Sequence, residues 1–312
     1  MNITLKQLKI LEAVVEFNSY TDAAKALFMT QPAVSMQIKQ MEIQIGLPLF
    51  EREGKQISLA EAGSELLHYA RNIRQQLEEA ALMIEELKGL KRGKLHLTMA
   101  STANYFAPQL IAAFHHEYPG AQVTLDVANR TGLLDALDNN TTDMVIMGKP
   151  PKGHNVTAIR FMDNPLVVIA APSHPLATQK RVIPLKQLAD EPFIVRERAS
   201  GTRIAAEKFF AVHNLQLTTG MEMNRSEAIK QAVMAELGLG IVSLHTIEME
   251  LALKRLVVLK IEDFPIMRQW HIVHRNGKRF AAIPEAFKNY ALEHAESLIN
   301  IVPLDINHKD TP

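Results

Sequence analysis

Three short segments in the last two-thirds of this 312-residue chain bring together groups suited to holding an anion. Ser101-Thr102-Ala103-Asn104 follows an apolar alternating run and opens a helical pattern, so it offers hydroxyls and free backbone N–H groups. Asn129-Arg130 follows the next such run, and Arg130 carries the planar fork that grips a carboxylate or phosphate. Glu197-Arg198-Ala199-Ser200-Gly201-Thr202-Arg203 stands at a further helix start with hydroxyls, a glycine and arginines, a cradle for the same groups. Hydroxyls at helix starts also serve as plain caps, and Asn224 and Ser226 are fully explained that way. The candidate ligand residues are therefore Ser101, Thr102, Ala103, Asn129, Arg130, Glu197, Ser200, Gly201, Thr202 and Arg203, provided that one cleft collects them.

The elements around these segments alternate. Leu95–Ala100, Val123–Ala128 and Met144–Met147 read as strands, with helices over Tyr105–Tyr118 and Thr131–Asn139 between them. A second group holds strands at Pro165–Ala170, Phe193–Arg196, Met221–Asn224 and Gly240–Ser243, with helices from about Thr202 and Glu227. Trp270–His274 and Pro284–Leu298 supply a strand and a helix that rejoin the first group. This order implies parallel βαβ units whose ligands lie beyond the carboxyl ends of the strands. Two such lobes joined by crossing strands enclose a cleft, as in periplasmic binding proteins.

Composition narrows the function classes. Zero cysteines exclude disulfides, thiolate metal sites and a thiol nucleophile. No Gly-x-Ser-x-Gly, P-loop or dinucleotide fingerprint occurs. His115-His116 ends a helix, and His271 and His274, three apart on a strand, point to opposite faces, so neither pair reads as a metal site. No cofactor and no enzymatic activity are expected. Met1–Lys9 has no signal-peptide pattern and no apolar run reaches membrane-spanning length, so a cytoplasmic protein without a membrane partner is expected. The 34 basic and 34 acidic residues cancel, so any claim on nucleic acid must rest on local pattern.

That pattern occupies the first 60 residues. Thr4 and Gln7 have capping-box spacing ahead of a helix in which Leu5, Leu8, Leu11 and Val15 recur with Ile10 and Val14. Asn18-Ser19 breaks it, Thr21 or Asp22 caps a second helix over Ala23–Leu27, and Phe28-Met29 makes a tight connection. Thr30 caps a third helix with Pro32 in its first turn, Ala33, Val34, Ile38, Met41 and Ile45 facing inward, and Gly46 at its end. This is a helix-turn-helix, and the outer face of its last helix carries Gln31, Ser35, Met36, Gln37, Lys39 and Gln40, side chains suited to base edges and phosphates. Arg52, Gly54 and Lys55 lie between two strand-like stretches, as on a wing. The DNA-contact candidates are Thr30, Gln31, Pro32, Ser35, Met36, Gln37, Lys39, Arg52 and Lys55. Six bases against six acids over residues 1–59 make one such unit a weak binder by itself.

A partner copy repairs that weakness. Leu66, Ala70, Ile73, Leu77, Ala80, Ile84 and Leu87 follow at spacings of 4, 3, 4, 3, 4 and 3, the seam of a coiled coil. Two reading heads on one duplex multiply affinity through effective concentration. Gly89 and Lys91-Arg92-Gly93-Lys94 read as a hinge after that helix.

The runs Ala23-Ala24-Lys25-Ala26-Leu27, Thr30-Gln31-Pro32-Ala33-Val34-Ser35 and Gly46-Leu47-Pro48-Leu49-Phe50-Glu51-Arg52 closely resemble the winged helix-turn-helix of LysR-type transcriptional regulators. Met36 stands where many members carry Arg, which points to apolar or indirect readout there. Ala60 stands where Thr usually precedes Glu61-Ala62-Gly63, so a phosphate contact or cap is missing or falls to Ser58. Ala100–Pro108, Glu227–Val233 and Gly238–His245 are similar to the RuBisCO-operon regulators, CbbR, of autotrophic bacteria, although Arg198-Ala199 replaces a Pro-Gly usual in that branch.

The resemblance implies an α+β multidomain chain, with a winged helix-turn-helix over 1–59 and a coiled-coil linker helix over 60–90. A two-lobed effector domain fills 91–312, lobe I at about 94–162 and 268–300 and lobe II at about 163–267. It implies a homodimer, assembled as a dimer of dimers, that binds double-stranded promoter DNA and RNA polymerase and activates carbon-fixation genes. A small anionic, phosphorylated metabolite is its expected effector. The alternative is a LysR-type regulator of aromatic catabolism or nitrogen assimilation that senses a carboxylate.

Overall fold

The computed structural model describes residues 2–53, 56–87, 93–179 and 181–299. The chain forms two compact units, divided in sequence near residue 88.

The first unit opens with helix α1, Leu5–Phe17. Gln7 N donates to Thr4 Oγ1 at 3.3 Å and Thr4 N donates to Gln7 Oε1 at 2.9 Å, the full capping box. Asn18, at φ 46°, stops the helix. Helix α2 runs over Tyr20–Ala26, earlier than the expected Ala23–Leu27, because Ser19 is extended and its hydroxyl, not Thr21 or Asp22, accepts the Asp22 N–H at 3.2 Å. Helix α3 spans Gln31–Ile45. Thr30 holds its N-cap position without a side-chain cap bond, and Gly46 closes it at φ 80°. Ile10, Leu11, Val14, Ala23, Ala24, Val34, Ile38 and Met41 make one core with Leu49 and Leu67. Leu5, the first of the residues recurring at helical spacing, is 56% exposed, since it occupies the first turn of α1.

Strands β1, Phe50–Glu53, and β2, Gln56–Leu59, pair antiparallel as the wing, and helix α4 follows over Glu61–Leu87. At 27 residues α4 is about 40 Å long. Its first turns pack on the same unit. Leu67 is buried there, Leu66 is half-buried against the same core, Ala70 is 1% exposed, and Arg74 pairs with Glu12 of α1 at 2.9 Å. Ala70, expected in the dimer seam, is thus buried within its own unit, while Leu66 is only partly covered there. The heptad positions from Ile73 to Ile84 are exposed, with Leu77 at 51%, Ala80 exposed and Ile84 at 55%. The side chains of Leu87 and Arg52, and the whole of Gly54 and Lys55, lie outside the described residues.

The second unit contains strand β3, Gly93–Ala100, a 3₁₀ turn at Ser101–Tyr105, helix α5, Ala107–Glu117, strand β4, Ala121–Ala128, helix α6, Arg130–Asp138, and strand β5, Met144–Met147. The long strand β6, Val156–Ala170, leads to β7, Phe193–Arg196, α7, Gly201–Val212, β8, Thr219–Met223, α8, Ser226–Met234, and β9, Leu239–Ser243. A turn at Leu244–Thr246, α9, Glu248–Ala252, β10, Val257–Val258, β11, Ile266–Arg275, and α10, Ala282–Leu298, complete it. The expected helix Tyr105–Tyr118 is two pieces. Phe106 turns its ring into the core at φ −129°, and Pro108 starts a new helix just beyond it.

One sheet carries both lobes, in the order β4-β3-β5-β11-β6-β9-β7-β8, with β10 beside β6. β3, β4 and β5 are parallel, as are β7, β8 and β9, while β6 and β11 run antiparallel to each other and cross from lobe to lobe. β6 is more than twice the expected length, since Pro165 lies within it. That proline falls where the strand leaves its pairing with β11 for its pairing with β9, so the missing N–H is tolerated.

Glycine 63 explains how α4 meets the wing. A Cβ there would stand 2.1 Å from Leu49 O, a backbone atom that cannot swing aside. Gly63→Ala is expected to cost the N-terminal unit about 3 kcal/mol by overpacking. In a urea titration the helical transition seen by circular dichroism should move to lower urea. The fluorescence transition of Trp270, the single tryptophan and a core residue of the second unit, should stay in place.

Candidate functional site

A cleft of about 530 Å³, open to solvent, lies between the two lobes of the second unit. The rule for parallel strands puts most of its wall in place. Ser101 and Thr102 follow β3, Asn129 and Arg130 follow β4, Gly148 follows β5, and Glu197, Ser200, Gly201 and Thr202 follow β7. Asn164, Arg268 and Trp270 of the crossing strands form the floor, with Arg196, Met147 and Leu133 beside it.

Several wall groups are held by their own backbone. Asn129 Oδ1 accepts Gly132 N at 2.9 Å and Ser200 Oγ accepts Thr202 N at 3.3 Å, so both hydroxyl or amide groups cap helices as well as face the cleft. The charges are the informative part. Arg196 is locked in a two-point pair with Glu197, at 2.8 and 2.9 Å, and donates to Ser226 Oγ at 3.1 Å. Arg130 and Arg268 give their hydrogen bonds to carbonyls instead, Lys149 O at 3.3 Å and Gly201 O at 2.6 Å. Among the described residues neither makes an ion pair with a carboxylate.

These two guanidiniums are close. A Cβ on Gly201 would lie 3.2 Å from Arg268 Nη1 and 3.6 Å from Arg130 Nη1, and one on Gly148 would lie 2.7 Å from Arg268 Nη2. Burial pushes the Arg130 pKa below its ordinary value, while burial and then the Arg130 charge do the same to Arg268. Two like charges held together, with no carboxylate partner among the described residues, are chemically suited to an anion.

Two expected ligand residues lie elsewhere. Ala103 is fully buried in the lobe I core, because the three-residue period of the 3₁₀ turn sends it inward while Ser101 and Thr102 face out. Arg203 is buried in α7, bonded to Glu222, to Glu207 at 2.7 Å and to Arg196 O at 3.0 Å, so its charge is paired within lobe II. Sequence reading missed Gly148, Asn164, Arg196, Arg268 and Trp270. Gly148 was accessible to the end-of-strand rule. Arg268 lies inside an antiparallel strand and leaves no such signal.

In the N-terminal unit Gln31, Pro32, Met36, Lys39 and Gln40 of α3 are exposed, as is Thr30, while Ser35 and Gln37 are half-buried. Among the described residues no three His, Asp or Glu side chains converge as metal ligands. Burial lowers the pKa of His271 and of His274, as it does for His245, whose Nε2 meets Asp163 O at 3.0 Å. No helix among the described residues is long and apolar enough to cross a membrane.

Two family models match, the bacterial regulatory helix-turn-helix protein of the lysR family over residues 5–64 and the LysR substrate binding domain over 88–296. The chain belongs to the LysR family of transcriptional regulators. It is 52% identical over 295 residues to the RuBisCO operon transcriptional regulator of Allochromatium vinosum, covering 95% of this chain and 97% of that one. The regulatory domain of CcmR from Synechocystis PCC6803, solved in complex with 2-PG, is 38% identical with a TM-score of 0.63, covering 68% of this chain and all of that one. Full-length CbnR, solved with its target DNA, shares the fold with a TM-score of 0.67 at 19% identity, over 93% of this chain and 99% of that one. LysR regulators bind promoter DNA and small-molecule effectors and act as oligomers.

The uncompensated guanidiniums give a direct test. Inorganic phosphate is expected to raise the melting midpoint of the regulator, and Arg268→Gln to remove that shift. A parent protein whose melting ignores phosphate and sulfate would show that the cleft is not an anion seat.

Proposed function

We propose that this LysR regulator activates carbon-fixation genes of the RuBisCO-operon type in response to a small phosphorylated metabolite bound in the cleft. The target reading rests on the 52% identity to a RuBisCO operon regulator along nearly the whole chain. One observation carries the effector reading: Arg130 and Arg268 face the cleft with no carboxylate partner among the described residues, beside the hydroxyls of Ser101, Thr102 and Thr202. A phosphate monoester dianion matches two guanidiniums better than a single carboxylate does. The complex of CcmR with 2-PG, a domain 38% identical to this one, is consistent with it.

On DNA, α3 enters the major groove with Gln31, Met36 and Lys39 outermost, Thr30 and Pro32 at its start and Ser35 and Gln37 at its edges. Arg52 and Lys55 add charge for phosphate contacts. The neutral charge of each head makes pairing necessary, and Ile73, Leu77, Ala80 and Ile84 of α4 supply the seam. The working form is a cytoplasmic dimer of dimers that contacts RNA polymerase. The effector favours one of two arrangements of the oligomer on the promoter, and the DNA bend changes with it. The protein performs no catalysis in this scheme.

Footprinting on the DNA upstream of RuBisCO-operon genes, with and without 2-PG or a sugar phosphate, tests the proposal. A protected region whose length or bending changes with the phosphorylated ligand is expected. Tight binding of muconate-like acids with no response to any phosphate would move the regulator to the carboxylate-sensing branch. Leu77→Asp should yield monomers in sedimentation and weaken promoter binding about 100-fold, the avidity that pairing supplies.

A further inference from the structure

We infer that Tyr105 and Lys230 are positioning residues for the effector, joining the turn that carries Ser101 and Thr102 to the opposite lobe. The inference rests on the effector-site reading of the cleft.

The turn Ser101–Tyr105 is a single 3₁₀ segment. One end faces the cleft, and at the other Tyr105 reaches across to lobe II. Its hydroxyl donates to Glu227 Oε2 of α8 at 3.1 Å. The Lys230 ammonium, also of α8, stands 4.7 Å above the centre of its ring. Tyr105 is thus held by its edge and by its face, through two different interactions with one helix.

Lys230 is anchored for that task. Its side chain is 2% exposed, with Glu227 Oε2 and Glu250 Oε1 each at 2.7 Å and Thr246 O at 2.9 Å. Every one of those partners belongs to lobe II, so the ammonium is a fixed point of that lobe and not a tether that moves with lobe I. Glu250, Thr246 O and Glu227 together take the three donors of the ammonium. Glu227 does more, accepting from Lys230 and Tyr105 through the same oxygen. Phe106, the next residue, packs its ring 5.4 Å from that of His245 in lobe II, so the contact continues along the chain.

A 3₁₀ turn of five residues rises only about 2 Å per residue, so Tyr105 is joined to Ser101 and Thr102 through one short hydrogen-bonded segment. Holding Tyr105 therefore orders Ser101 and Thr102 before a ligand arrives, and an effector finds part of the ordering cost already met.

Tyr105→Phe removes one hydroxyl that lies outside the cleft. Calorimetric titration of the full-length variant with 2-PG should give about five-fold to ten-fold weaker binding, the size of one charge-assisted hydrogen bond that is partly solvated. Melting without ligand and promoter affinity without ligand should both match the parent. Lys230→Met should weaken 2-PG binding at least as much, Lys230→Arg should recover most of the loss, and the double variant Tyr105→Phe with Lys230→Met should lose less than the sum. Amide hydrogen exchange of residues 101–105 in the ligand-free protein gives a reading that needs no probe, and Tyr105→Phe should speed it. Parent-like exchange there, or parent-like 2-PG affinity in Tyr105→Phe, overturns the inference. If the parent itself binds neither 2-PG nor phosphate, the effector-site reading fails, and faster exchange in Tyr105→Phe still supports the link between the lobes.

Discussion

The antiparallel ladder between β6 and β11 is the constraint on which the second unit is built. It runs from Ile266 opposite Leu166 to Arg275 opposite Val156, and every other strand of the sheet attaches directly or indirectly to one of the two. β5 adds β3 and β4 to one side, and β9 adds β7 and β8 to the other, so both lobes hang from two continuous strands. Hydrophobic burial then fills each lobe separately: Phe106, Phe114, Trp270 and Phe287 in lobe I, and Phe193 and Phe210 in lobe II. Two cores and one shared ladder leave the carboxyl ends of two parallel sets facing a common gap. Because the ladder itself floors that gap, a residue on it belongs to both lobes at once.

Arg268 is that residue, and its surroundings are cut to fit it. Gly148 of lobe I and Gly201 of lobe II flank the guanidinium closely enough that a side chain on Gly148 would collide with it. The carbonyl of Gly201 takes one of its donors. The opposite outcome is seen nearby in Arg196 and Arg203, whose charges are consumed by Glu197 and by Glu207 and Glu222. Three arginines in or beside one cleft wall would be ambiguous on composition. Their partners sort them into two that shape lobe II and one that faces outward with Arg130.

Much of this was legible in sequence because the signals were local. Thr4 and Gln7 announce a helix start by chemistry that acts over three residues, and β5 and β7 stand exactly where short apolar runs bounded by polar residues place them. What stayed hidden depended on distant partners. Pro165 reads as a strand end until its neighbours on both sides are known. Ala70 has the period of a dimer seam, yet it is claimed by its own unit. Ala103 and Thr102 differ only in which way a 3₁₀ turn rotates them, and an α-helical start would have rotated them otherwise. Arg268 is one cation in an alternating strand, and only the tertiary approach of two glycines and a second arginine gives it meaning.

The position of the unpaired charges also bears on how binding does work. A ligand shifts an equilibrium only by the difference in its affinity for the two states. An anion held by Arg130 alone would touch lobe I and bind equally well whatever the separation of the lobes. One held by Arg268 lies on the strand common to both, against Gly201 and the Ser200–Thr202 cap of lobe II, while Ser101 and Thr102 approach from lobe I. Its contacts are complete only at one separation. Typical couplings of about 1–3 kcal/mol between sites require no more than one or two hydrogen bonds to be made in one arrangement and lost in the other. Partial burial of two like charges adds to this, since their mutual repulsion is relieved only when a ligand neutralises both.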